Sequence, residues 1–195
     1  MSLKIGNLKK SFGNQNIFDG LSLEFSERGL YLIKGESGVG KTTLLRIIAG
    51  LDTDFEGDVI GGGIGNVSVA FQEHRLFPTL SAFDNVYKVA FQTSSEENAV
   101  KAKEMLRALK FSDEDMKKRP NELSGGMKQR VSLSRAFLAK GGILILDEPT
   151  KELDPELADT VIDMIKKESE SRLVIAVSHR QEDEITLDAT VIDLK

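Results

Sequence analysis

The sequence predicts an α/β protein built around a parallel β-sheet, and three observations predict it. Short β-rich runs at residues 30–34, 67–71, 143–146 and 173–178 alternate with segments of helical character. The last three runs are almost wholly apolar and lack the polar alternation of a half-exposed strand, which suits parallel strands covered by helices on both faces. The first run leads into a glycine-rich octapeptide and then an apolar helical stretch, the order strand, loop, helix.

Each end of the chain extends this frame. Residues 3–10 and 21–25 alternate apolar with polar and fit a small antiparallel sheet, joined by the turn at Phe12-Gly13-Asn14. The stretch from about 77 to 121 reads as a helical insertion: residues 96–109 place Val100, Met105, Leu106 and Leu109 at helical spacing. Gly61-Gly62-Gly63-Ile64-Gly65 lacks a following Lys-Thr and helix, so it is expected to be a hairpin turn and no phosphate loop. Asp113-Glu114-Asp115 reads as a solvated helix start, favoured near the positive end of the helix dipole.

Bulk properties narrow the function classes. A chain of 195 residues is of single-domain size and buries about 70% of its unfolded surface. Composition is that of a globular protein, 40% hydrophobic and 29% charged, without repeats. A net charge of −5 argues against a face built to neutralise nucleic-acid phosphates. With no cysteine there is neither a disulfide framework nor a thiolate metal site, in keeping with the cytoplasm. The longest apolar runs fall far short of the roughly 20 residues of a membrane helix. The first residues, Met1-Ser2-Leu3-Lys4, carry no signal-peptide core. Work at a membrane would therefore require docking on a partner.

Gly35-Glu36-Ser37-Gly38-Val39-Gly40-Lys41-Thr42 follows the strand Tyr31-Leu32-Ile33 and opens a helix through Thr43 to Ala49, which Gly50 ends. In that context it reads as a P-loop. The glycines let backbone N–H groups wrap an anion, the helix start adds a partial positive charge, and Lys41 adds a full one on the β and γ phosphates. Thr42 presents a hydroxyl to Mg²⁺. The alternative is a plain glycine-rich turn before a helix.

Ile143-Leu144-Ile145-Leu146 ends in Asp147-Glu148, two carboxylates at the edge where open α/β sheets bind ligands. Asp147 is suited to hold Mg²⁺ directly or through water, and Glu148 to polarise the attacking water. A cap beside a solvated neighbour is the bland alternative. Leu123-Ser124-Gly125-Gly126-Met127 precedes a helix over 128–140, with Ser124 at an N-cap position and glycines that allow close approach to an anion. Two phosphate-binding helix starts exceed what one nucleotide needs, so the second is suited to a nucleotide held by another subunit.

Taken in order, these motifs resemble the nucleotide-binding domain of the ATP-binding-cassette (ABC) transporter family over nearly the whole chain. The order runs from the P-loop through Gln72 after a strand, the signature at 123–127, a Walker B strand with Glu148, a loop at Leu153-Asp154, and His179 after a strand. The resemblance implies one ABC-type P-loop ATPase domain over residues 1–195, with the helical subdomain inserted in a RecA-like core and an N-terminal antiparallel β subdomain. It implies head-to-tail pairing, as a homodimer or with a second ABC subunit, around two ATP molecules. Each ATP would meet one chain's P-loop, with Gly35 to Thr43 as contacts, and the other chain's Ser124, Gly125 and Gly126, with Asp154 at the interface. His179 would touch the γ phosphate, Gln72 the Mg²⁺ or the attacking water, and Phe12 the adenine by stacking.

By the same resemblance, transmembrane permease subunits would dock near residues 72–87, anchored by apolar side chains of Arg75-Leu76-Phe77-Pro78-Thr79-Leu80. The protein would sit peripherally on the cytoplasmic face and couple ATP hydrolysis to transport, with ATP and Mg²⁺ as cofactors and no nucleic acid. The sequence departs from the family pattern at Met127, a variant found in importers, and at Lys151-Glu152, where small residues are usual. Only sixteen residues follow His179, too few for an appended sensing domain. The competing functions are a soluble ABC ATPase acting on DNA or ribosomes, which the acidic balance and the lack of coiled-coil insertions disfavour, and a small-metabolite P-loop kinase, which leaves 123–127 unexplained.

Overall fold

The computed structural model describes residues 2–91, 93–178 and 188–195. Its elements run β1 (Leu3–Phe12), β2 (Gln15–Phe25), β3 (Gly29–Lys34), α1 (Lys41–Ile48), β4 (Glu56–Ile60), β5 (Val67–Ala70), α2 (Ala82–Ala90), α3 (Glu96–Ala108), α4 (Gly125–Leu138), β6 (Ile143–Asp147), α5 (Pro155–Ser169), β7 (Leu173–Val177) and β8 (Thr190–Asp193), with short 3-10 turns at Asp115–Lys117 and Pro120–Glu122.

Two sheets result. The five-stranded sheet, in the order β5-β6-β7-β3-β8, is parallel throughout. Its central strands β6 and β7 read as continuous apolar runs because both faces are covered: Ile143 and Ile145 of β6 face α1 and the N-terminal sheet, whereas Leu144 and Leu146 face α4 and α5. The second sheet, in the order β2-β1-β4, is antiparallel and buries Leu3, Ile5, Leu8 and Phe25 against the same side as α1. A third core gathers Val86, Ala102, Leu106, Phe111, Met116, Leu123 and Val131, so the helices of 82–108 pack on one another and on α4.

Two expectations need correction, the glycine run and the start of α4. The glycine run at 61–65 is no hairpin: it leaves β4, which pairs with β1, and delivers the chain to β5, which pairs with β6 in the other sheet. Asn66 fixes the crossing, its Nδ2 donating to the Gly61 carbonyl at 2.7 Å and its Oδ1 accepting from Gly142 N at 3.0 Å. Helix α3 stands where the spacing placed it, with Leu106 and Leu109 buried and Met105 packed on the core, while Val100 is 48% exposed and Ala102 adds a buried position. The helix after Ser124 begins at Gly125, so the signature glycines are its first turn and not a loop before it.

Candidate functional site

The P-loop is held open by its neighbours. Gly40, at the N-cap of α1, has a φ of 106°, and a methyl group there would lie 2.6 Å from Ile17 Cγ2 and 2.8 Å from Phe18 Cζ. Only glycine satisfies both the left-handed backbone and the contact with β2. Lys41 is buried, and its ammonium lies across the loop, donating to the carbonyls of Gly35 and Glu36 at 2.8 Å each. Thr42 Oγ1 donates to Asp147 Oδ2 at 3.1 Å, which ties the first turn of α1 to the end of β6.

Ser37, Gly38, Gly40, Lys41, Thr42, Thr43, Gln72, Asp147 and Glu148 line one polar cavity of about 230 Å³. Residues distant in sequence therefore converge on a single concave surface at the C-terminal edge of the parallel sheet. Thr42 and Asp147 offer adjacent oxygen donors in that cavity. Two such donors fit a small hard cation that completes its shell with water and phosphate oxygens.

Glu148 leaves the strand with a φ of 54°, an uncommon conformation for a residue with a side chain. Hydrogen bonds hold this turn: the Glu148 N–H donates to the Val177 carbonyl at 2.9 Å, and Gln129 of α4 donates through Nε2 to the Glu148 and Pro149 carbonyls at 2.9 and 3.0 Å. The Glu148 carboxylate pairs with Lys151, Nζ to Oε2 2.7 Å. Sequence reasoning missed both Gln129 and this ion pair. Gln129 stands two positions after Met127 in a run that reads as an amphipathic helix, and nothing in that pattern marks a buried amide.

The second helix start stands apart from the cavity. Ser124 Oγ accepts from Met127 N at 3.2 Å as the cap of α4. The loop 149–153 presses on it: methyl groups on Gly125 and Gly126 would lie 2.5 Å from Glu152 Oε2 and 2.8 Å from Glu152 O. His74, two residues beyond Gln72, joins this cluster with Nε2 3.9 Å from Glu152 Oε2. Burial pushes the His74 imidazole below its ordinary value, the Glu152 carboxylate opposing and the Lys128 ammonium adding to the shift.

Of the remaining candidates, Gly35, Glu36 and Val39 belong to the P-loop backbone; Phe12 ends β1 with 53% of its surface exposed and the Lys10 ammonium 4.8 Å from its ring centroid. Asp154 caps α5, its Oδ1 accepting from Leu157 N at 3.0 Å. His179 lies outside the described residues. Among the described residues no helix is long and apolar enough to cross a membrane.

Comparison with known proteins gives a consistent pattern. A family model described as ABC transporter matches residues 18–151. The tungstate uptake system ATP-binding protein TupC of Peptoclostridium acidaminophilum is 36% identical over 193 residues, covering 93% of this chain and 89% of that protein. The spermidine/putrescine import ATP-binding protein PotA of Hahella chejuensis is 34% identical over 205 residues, 97% of this chain and 55% of its own longer one. The chain thus spans about half the length of that second relative. Among solved structures, the dimeric post-hydrolysis state of an ATP-binding cassette bound to ADP and Pi superposes with a TM-score of 0.83 at 27% identity, covering 99% of this chain and 94% of the other. The dimeric structure of a bacterial ABC transporter cassette gives a TM-score of 0.85 with the same identity and coverage.

Proposed function

Because the chain belongs to the ABC transporter family, whose ATP-binding subunits hydrolyse ATP to energise solute transport, we propose that it drives an importer as one half of an ATP-closed pair, docked on membrane subunits at the cytoplasmic face. One observation carries the reading: Lys41, Thr42, Gln72, Asp147 and Glu148 converge on one polar cavity at the sheet edge.

In this reading the backbone N–H groups of 35–43 and the Lys41 ammonium bind the β and γ phosphates, exchanging the contacts that Lys41 makes with Gly35 and Glu36 for phosphate oxygens. Phe12 stacks on the base with its exposed face. Glu148 orients a water against the γ phosphorus and accepts its proton as the new P–O bond forms and the bond to the β-phosphate oxygen breaks, leaving ADP and phosphate. Thr42 and Asp147 would hold Mg²⁺, which would supply charge neutralisation on the phosphates. Gln72 reports the state of the cavity to the segment 73–87, and Ser124, Gly125 and Gly126 close on the nucleotide of the partner. His179 contacts the γ phosphate and Asp154 shapes the interface.

Uptake as the direction is supported by the functions of the two relatives, tungstate uptake and spermidine/putrescine import. The test is direct. Wild-type protein is expected to hydrolyse ATP in the presence of Mg²⁺, and Lys41→Ala to lose nucleotide affinity by at least about tenfold in a fluorescence titration. Unchanged affinity in Lys41→Ala would remove the P-loop from the account.

A further inference from the structure

Loop 149–153 carries two charged side chains, and each is engaged within its own subunit. Lys151 Nζ lies 2.7 Å from Glu148 Oε2, with the lysine side chain half exposed and that of the glutamate 14% exposed. The backbone reinforces the pair, because Lys151 N donates to the Glu148 carbonyl at 3.3 Å and closes a turn across the two residues. The next residue faces the opposite way, with Glu152 Oε2 against Gly125 and its carbonyl against Gly126 at the start of α4. One short loop therefore touches the carboxylate at the cavity and the second helix start at once.

We propose that Lys151 is a positioning residue that restrains hydrolysis in the isolated subunit, holding the Glu148 carboxylate in an ion pair until loop 149–153 is displaced. This rests on the reading of Glu148 as the group that takes the proton from water. A base must come within hydrogen-bond reach of that water in the productive geometry, and the Oε2 lone pair directed at Lys151 Nζ is not directed at the nucleotide. Glu152 couples the restraint to pairing. A phosphate held by a second copy and arriving at the start of α4 meets the Glu152 carboxylate first, and repulsion between like charges moves the loop that carries Lys151. Each restraint is modest, because a half-exposed ion pair contributes little against solvent.

Steady-state ATP turnover by the full chain, with nucleotide affinity from titration with a non-hydrolysable ATP analogue, tests the assignment. At protein concentrations too low for pairing, Lys151→Met is expected to raise kcat about three- to fivefold with KM and analogue affinity unchanged. Lys151→Arg keeps the pair and stays at the wild-type rate. Glu152→Gln removes the charge through which pairing moves the loop, so its turnover is expected to rise less with protein concentration than that of wild type, and a rise equal to wild type would remove Glu152 from the coupling. Turnover in Lys151→Met equal to or below an active wild type overturns this proposal alone. Loss of turnover from wild type and variants alike would bring down the reading of the chain as an ATPase beneath it.

Discussion

Arg172 shows how much a single side chain organises here. It stands just before β7, is 9% exposed, and donates from Nη1 to Ser68 Oγ at 3.0 Å and to the Ala139 carbonyl at 3.2 Å, and from Nη2 to the Phe137 carbonyl at 3.1 Å. Its Nε pairs with Glu168 Oε2 at 2.7 Å. The guanidinium thus caps the C-terminal carbonyls of α4 while joining α5 to β5, a task suited to a planar five-donor group and not to lysine. Replacing Arg172 with Met would strand these acceptors and leave Glu168 without its cation, and is expected to cost about 3 kcal/mol in urea denaturation, with nucleotide affinity retained. Glu148 makes the opposite case. Glu148→Gln keeps shape and backbone bonds but removes the proton acceptor, so turnover is expected to fall by about a hundred- to ten-thousandfold while an ATP titration remains at the wild-type value.

Among elements, the segment entering α2 depends on one amide. Asn85 is fully buried; its Oδ1 accepts from Phe77 N at 2.9 Å and its Nδ2 donates to the carbonyls of Phe77, Leu80 and Ser81 at 3.1, 3.1 and 3.0 Å. Asn85→Leu would keep the apolar packing of α2 and remove the side-chain partners of Phe77 N and the Leu80 carbonyl, while the Phe77 and Ser81 carbonyls keep their bonds from Leu80 N and residue 85 N, so about 2 kcal/mol should be lost, with faster limited proteolysis at 77–81. The turn after α3 carries a pH signature. A hydrogen bond from the Lys118 ammonium, with the Ser112 hydroxyl next, holds the Asp115 carboxyl down at about 2. A carboxyl depressed in the folded state stabilises it above the usual value of 3.8 and loses that contribution as pH falls through about 2. Thermal unfolding of Asp115→Asn should therefore differ from wild type at pH 6 and converge with it between about pH 4 and pH 2.

These elements also mark what the sequence could disclose. The strands β6 and β7 were legible because burial on both faces leaves an unbroken apolar run, β3 and β5 through their β-rich composition, and the P-loop because its spacing is that of a loop that wraps phosphate. Strand β4 was not, since Glu56–Ile60 is an exposed edge strand whose pairing with β1 comes from register and not from pattern. Gln129 and Asn85 escaped for a related reason: a buried amide has the same letter as a solvated one, and only the carbonyls around it distinguish them. Lys151 was noticed as a departure, but its ion pair with Glu148 requires the turn at 148–151 to be known first.

On the scale of the whole molecule, the start of α4 does not line the cavity at the P-loop. Ser124, Gly125 and Gly126 are absent from the lining formed by Lys41, Thr42 and Glu148, and the connection between the two places runs through Gln129 and loop 149–153. In the proposed reading, a nucleotide held by the P-loop meets a second helix start only when another molecule supplies it. A twofold pair satisfies both molecules at once, because each lends its α4 start and receives the other's. In the Glu148→Gln background, where hydrolysis does not reopen the pair, ATP with Mg²⁺ is expected to double the mass seen by light scattering. Adding Ser124→Arg places a long side chain where the partner's phosphate would sit while leaving the P-loop untouched. ATP affinity of the monomer should then persist and the doubling should vanish; a pair that still forms in that variant would mean that α4 closes on nothing in the second molecule.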